Sequence, residues 1–177
     1  MGTEEWDLKE TTMPKLDSLK ELYVDQLRDL YNAEQQLTKA LPQMEQAAQS
    51  NDLKKLFREH LKQTEQQVER LERIFKELGT AAKGTTCEGM KGLIKEGEEY
   101  LEVKGNPNVK DAAIIAAAQR VEHYEIAGYG TAKAFAERLD LDDQVRLLDE
   151  TLKEEHQADE KLNKVALGEV NKKAMKA

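Results

Sequence analysis

One cysteine, Cys87, and three prolines are all that a chain of 177 residues carries of the residue types that staple or break a fold. A lone thiol excludes an internal disulfide and fits a reducing compartment. Aromatic residues make up only 5% while charged residues reach 35%, a balance that suits long amphipathic helices and not a sheet core. No apolar run approaches the roughly 18 residues of a membrane span. Basic charge is in short supply as well. The 27 Lys and Arg against 35 Asp and Glu leave a net charge of -8, and no basic face stands out, so nucleic acid is not an expected partner. No phosphate-binding glycine loop and no nucleophile motif occurs. The start, Met1 to Met13, is too acidic and polar for a targeting signal, so the expected location is the cytoplasm.

The pattern that is present is helical almost throughout. Residues 1–15 lack periodicity and hold Pro14, and they read as a flexible leader in which Trp6 is either a docking residue or an exposed tail residue. A first helix is expected from Asp17 or Ser18, because Ser18 and Glu21 form a capping box. Its inward seam runs Leu16, Tyr23, Leu27, Leu30, Glu34, Leu37, Leu41, Met44. Pro42 removes the backbone bond to Thr38 and kinks this helix without ending it. Ser50-Asn51-Asp52 stops it and caps a second helix, about Asp52 to Leu78, with Gly79 as C-terminal cap. The second seam holds Leu53, Leu56, His60, Gln63, Gln67, Leu71, Ile74 and Leu78. Thr85 and Glu88 suggest another capping box, before a short helix from Met90 to Val103. The turn Gly105-Asn106-Pro107 follows, with Asn108 as the next cap. Helix 3 of the bundle spans about Val109 to Leu139, and helix 4 runs from about Asp143 to Gly168. Asn171 to Ala177 read as a lysine-rich solvated tail.

Link lengths set the topology. Each pair of helices is joined by a few residues and must be antiparallel, while about 30 residues between the pairs can climb back along the bundle. Two hairpins and one long crossover carrying its own short helix make a ferritin-like four-helix bundle over 16–170. An up-down-up-down bundle with a decorated loop is the alternative.

Acidic residues sit where those seams should be apolar: Glu34, Glu122, Glu125, Glu155 and Asp159. The helix midpoints fall near 34, 65, 124 and 155, so four of the five share one level and Asp159 lies a turn away. Glu122 and Glu125 share a face, as do Glu155 and Asp159. Buried carboxylates must be protonated, paired, hydrated or bound to a cation. Hard or borderline cations such as iron and manganese take carboxylate oxygens with an imidazole. The second helix is the weak member, since Gln63 and Gln67 are poor ligands and His60, a good one, stands about one turn off in height. The alternative is a metal-free, hydrated polar layer that fixes helix register. His123 and Tyr124 flank the Glu122/Glu125 pair off the seam, His156 faces solvent, Tyr129 is a core residue near the acids, and Cys87 is a packed thiol.

The segments LYNAEQQLTKALPQM, HLKQTEQQVERLE, CEGMKGLIKEG, DAAIIAAAQRVEHYEIAGYG and ETLKEEHQADEKL resemble the YciF/YciE-type family of ferritin-like bacterial stress proteins, over about residues 16–172. That resemblance implies the ferritin-like bundle, a homodimer, and a di-iron or di-manganese site on Glu34, Glu122, Glu125, Glu155 and Asp159. This chain departs from the family at Gln63, where several members have Glu, and at Gln67, where some have His. The function expected is a metal-dependent reaction with peroxide or oxygen, or oxidation of ferrous iron. A non-catalytic bundle acting as scaffold or interaction protein is the alternative, and an iron-storage shell has no support in the sequence.

Overall fold

The computed structural model describes residues 16–83 and 86–177. The leader with Trp6, and Thr85, lie outside the described residues. Among those described, all regular structure is helical: α1 Leu19–Ala47, α2 Asn51–Glu77, α3 Glu88–Glu102, α4 Pro107–Arg138, α5 Asp142–Val165, then a π-helical turn Ala166–Val170 and α6 Asn171–Ala174. None of the helices is long and apolar enough to cross a membrane.

Each boundary has a local cause. Ser18 caps α1 and forms the reciprocal capping box with Glu21, and α1 continues through Pro42 to Ala47. Ser50 caps α2 by accepting from the Leu53 N–H. After α2, Gly79 takes φ 64, a left-handed conformation in which a side chain would be strained. Two caps differ from expectation. The Cys87 thiol caps α3 by accepting from the Met90 N–H, so the helix starts before Met90. Asn106 and not Asn108 caps α4, because Pro107 fits the first helical position, where its missing N–H costs nothing.

The hairpins α1–α2 and α4–α5 pack side by side, α1 against α4 and α2 against α5, in the ferritin-like order. Two contacts fix the directions. Tyr23 near the start of α1 donates to Gln144 near the start of α5 at 2.8 Å, so those helices run parallel. Asp111 near the start of α4 accepts the backbone N–H groups of Gln49 and Ser50, at 2.8 and 2.7 Å, in the turn that opens α2. The crossover places α3 on the outside of the α1/α4 seam. The chain also stays helical past Gly168, and Ala166 and Val170 are buried while α6 lies against α4.

The apolar core is in two parts. One gathers Leu37, Leu41, Phe57, Ile114, Ile115 and Leu162. The other gathers Tyr23, Leu27, Leu30, Leu71, Ile74 and Leu148. Each buried aliphatic side chain contributes about 1.5–3 kcal/mol, so the two parts provide most of the driving force. The seams differ in detail from expectation. Leu16 is 43% exposed and precedes the helix, and on α2 the buried residues include Phe57, Thr64 and Phe75, whereas Leu56, Gln63 and Leu78 are half-buried. Between the two parts of the core lies a polar layer.

Candidate metal centre

Every helix of the bundle puts a polar side chain into that layer. Glu34 follows Leu30 by one turn on α1 and precedes Leu37, and helical spacing leaves it no exit to solvent. It is fully buried, as are Glu125 and Glu155, while Glu122 and His60 retain only 2% and 6% exposure. One ligand atom from each of His60, Glu122, Glu125 and Glu155 falls within 4.8 Å of all the others. The His60 Nε2 is 3.3 Å from Glu122 Oε1 and 3.8 Å from Glu155 Oε2. His60 therefore belongs to the cluster, although its height along α2 suggested otherwise.

Some of these groups are held by hydrogen bonds. The Tyr129 hydroxyl donates to Glu34 Oε1 in a short contact. The Gln67 amide donates to Glu155 Oε1, also closely, and to Glu154 Oε2 at 3.1 Å. Arg70 grips both Glu154 oxygens, at 2.6 and 2.8 Å, and reaches Glu150 at 2.8 Å. A bidentate guanidinium of this kind fixes the carboxylate in position and plane. The result is a relay Arg70–Glu154–Gln67–Glu155 from the surface to the cluster.

Other atoms of the same layer make no hydrogen bond. Nine buried side-chain polar atoms among the described residues make no hydrogen bond, and eight of them belong here: one oxygen each of Glu34, Gln67, Glu122 and Glu155, both of Glu125, and both ring nitrogens of His60. Native interiors leave few such atoms. Burial, then the charge of Glu155, holds the Glu34 and Glu122 carboxyls well above the ordinary carboxylate value. Burial, then the charge of Glu34, does the same to Glu125. Burial and the charges of Glu34 and Glu125 keep the Tyr129 phenol protonated and so a donor. An array of acceptors crowded together in low dielectric, with lone pairs to spare and an imidazole alongside, fits a divalent cation.

The remaining candidates stand at the margin. Asp159 is half-buried, accepts from Gln119 at 3.0 Å and lies 3.5 Å from His123. Gln63 is half-buried at the rim of a cleft that leads to His60. His156 is exposed. Away from the cluster, the Tyr124 hydroxyl donates to Asp29 at 2.7 Å and lies 3.0 Å from the Cys87 sulfur. Burial pushes the Cys87 thiol up from its ordinary value. Gln67 is the residue that its ligand chemistry undersold: its seam position was legible, but a primary amide reads as a poor metal ligand and not as a clamp on one.

Fold and site together define a ferritin-like helical bundle with a buried carboxylate–imidazole cluster that could hold metal. Residues 18–175 match the family described as "Domain of unknown function (DUF892)", and the chain belongs to that family. Protein YciF of Escherichia coli (strain K12) is 42% identical over 160 residues, covering 90% of this chain and 96% of that protein. The crystal structure of the E. coli stress protein YciF superposes with a TM-score of 0.85 at 41% identity, covering 89% of this chain and 99% of the other. YcfI from Rhodopseudomonas palustris superposes at 0.81 with 48% identity, covering 84% and 95%.

Proposed function

We propose that the protein is a cytoplasmic, homodimeric stress-response protein that holds two iron or manganese ions and reacts with peroxide or oxygen, or oxidises ferrous iron. Glu34, His60, Glu122, Glu125 and Glu155 would be the ligands, with Asp159 and Gln63 at the edge of the site. The observation that carries the reading is the set of eight orphaned polar atoms converging from four helices. Four carboxylates balance the charge of two divalent ions, which removes the repulsion that the bare cluster would suffer. The likeness to a protein described as a stress protein supports the physiological part.

The metal would supply the redox chemistry when bound. The protein does the rest. Tyr129 fixes one oxygen of Glu34 and leaves the other free. Gln67 fixes one oxygen of Glu155, itself braced through Glu154 by Arg70. The apolar halves of the core above and below keep bulk water out. Gln67 thereby orients a ligand where some relatives by resemblance would offer one.

Elemental mass spectrometry on protein purified without chelator, and again after ferrous loading without oxygen, tests this. About two ions per chain are expected for a complete site of this bundle type. One ion would mean that the glutamines of α2 leave half a site. None under either condition overturns the reading and leaves a scaffold with a protonated, hydrated polar layer.

A further inference from the structure

The two sides of the bundle are walled differently. On the α1/α4 side, under α3, a pocket is lined by Leu37, Ala117 and Val121 and by no polar group of the cluster, whereas a cleft between α2 and α5 is lined by cluster residues. Its floor includes His60, neither of whose ring nitrogens makes a hydrogen bond, and Glu122, 3.3 Å from the His60 Nε2. Its walls include Leu56 and Leu162, and Glu59 and Lys161 stand at its outer end. Ala158 lines it too, three residues after Glu155 and on the same face of α5. In many di-metal bundles a Glu-x-x-His pair would put an imidazole at that place. Here the methyl group stops short, and the space it leaves belongs to the cleft.

The geometry points to this cleft as the entrance by which a small neutral oxidant, hydrogen peroxide or dioxygen, reaches the His60 side of the cluster. One acidic and one basic group at the mouth cancel, and the walls are largely apolar. A route built to draw in cations would carry a one-sign field, and this one does not. The entrance is short because His60 itself lines it. Bulk at position 158 therefore controls access without replacing any polar side chain of the cluster. The inference rests on the metal-centre reading of that cluster.

The test uses metal-free, full-length protein and dissolved dioxygen, which is paramagnetic and speeds proton relaxation where it makes contact. His60 ring protons should relax faster under oxygen than those of Tyr129, which is also buried but lies outside the cleft, and Ala158→Phe should remove the excess. If Ala158→Phe does not fold, Ala158→Leu gives the same comparison. Equal effects at His60 and Tyr129 in the wild type, or an excess that survives both substitutions, overturns the entrance. So does a slower manganese uptake in Ala158→Phe with dioxygen contact unchanged, which would make the cleft a cation route. Separate metal analysis keeps the two readings apart. Oxygen contact without metal binding would sink the metal centre alone, and metal binding without oxygen contact would sink the entrance alone.

Discussion

If the cluster holds metal as proposed, stripping that metal should reverse the way this protein responds to acid. Glu34, Glu122 and Glu125 each have a carboxyl held well above the ordinary value of 4.5, first by burial and then by one another's charge and that of Glu155. In the unfolded chain they ionise near 4.5. Above that value the folded, metal-free protein holds protons that the unfolded chain has released. Their stabilising contribution is whole below about 4.5 and is lost as pH rises toward the folded values. Each group contributes a slope of up to about 1.4 kcal/mol per pH unit, so three together reach up to about 4. The opposite behaviour of Asp149, whose carboxyl Lys133 and Lys153 hold down at about 2, acts only at lower pH. Bound divalent metal changes the sign, because protons then compete for the same oxygens. Urea denaturation at pH 5, 6 and 7, with chelator and with manganese, measures both slopes. The chelated protein should be most stable at pH 5 and the manganese form at pH 7. A chelated protein that loses stability steadily from pH 7 to 5 would refute the reasoning, since its buried carboxylates would then be ionised and compensated without metal.

Glu125→Gln keeps the shape but removes an ionisable carboxyl, neither of whose oxygens has a hydrogen-bond partner. It should raise metal-free stability at pH 7 in urea denaturation while lowering metal content, a split that a purely packing residue would not give. Asp111→Ala deprives the Gln49 and Ser50 N–H groups of their acceptor. It should cost about 1–3 kcal/mol, the loss of two charge-assisted hydrogen bonds to part-buried donors, read from the urea midpoint. Gly89→Ala would set a Cβ 2.8 Å from the Tyr124 ring, which Asp29 and Cys87 hold in place. About 1–3 kcal/mol of destabilisation is expected by thermal melting, and no loss at all would mean that α3 shifts freely.

Periodicity carried most of this architecture into view. Glu34 between Leu30 and Leu37 can only face inward, whatever surrounds it, and the short Ser50 and Asp140–Leu141 connections dictate antiparallel hairpins. His60 was harder to place because midpoints treat the polar layer as a plane. Glu122 precedes Glu125 by three residues, about 4.5 Å of rise, so the layer is nearly a turn thick and its Glu122 side meets His60. The Gln67 clamp on Glu155 depends on the rotation of α2 against α5, which no one-helix pattern encodes. Asp159 looks like a partner of Glu155 on the helical wheel. A step of four residues carries it slightly past the seam, where Gln119 and His123 meet it. The cap of α4 falls at Asn106, two residues before the expected Asn108, because Pro107 fits the first helical position.

The crossover has a consequence for time as well as for shape. Because α3 lies over the α1/α4 seam, α4 is sheathed by α1, α3 and α5 and touched at its start by α6, whereas α2 packs mainly against α1 and α5. Amide hydrogens are released in the order in which segments open. Those of α2 should exchange with deuterium early and those in the middle of α4 last. The helix that bears Glu122, Glu125 and Tyr129 is then the slow hand of the clock, holding their geometry while the His60 side of the layer flexes around it.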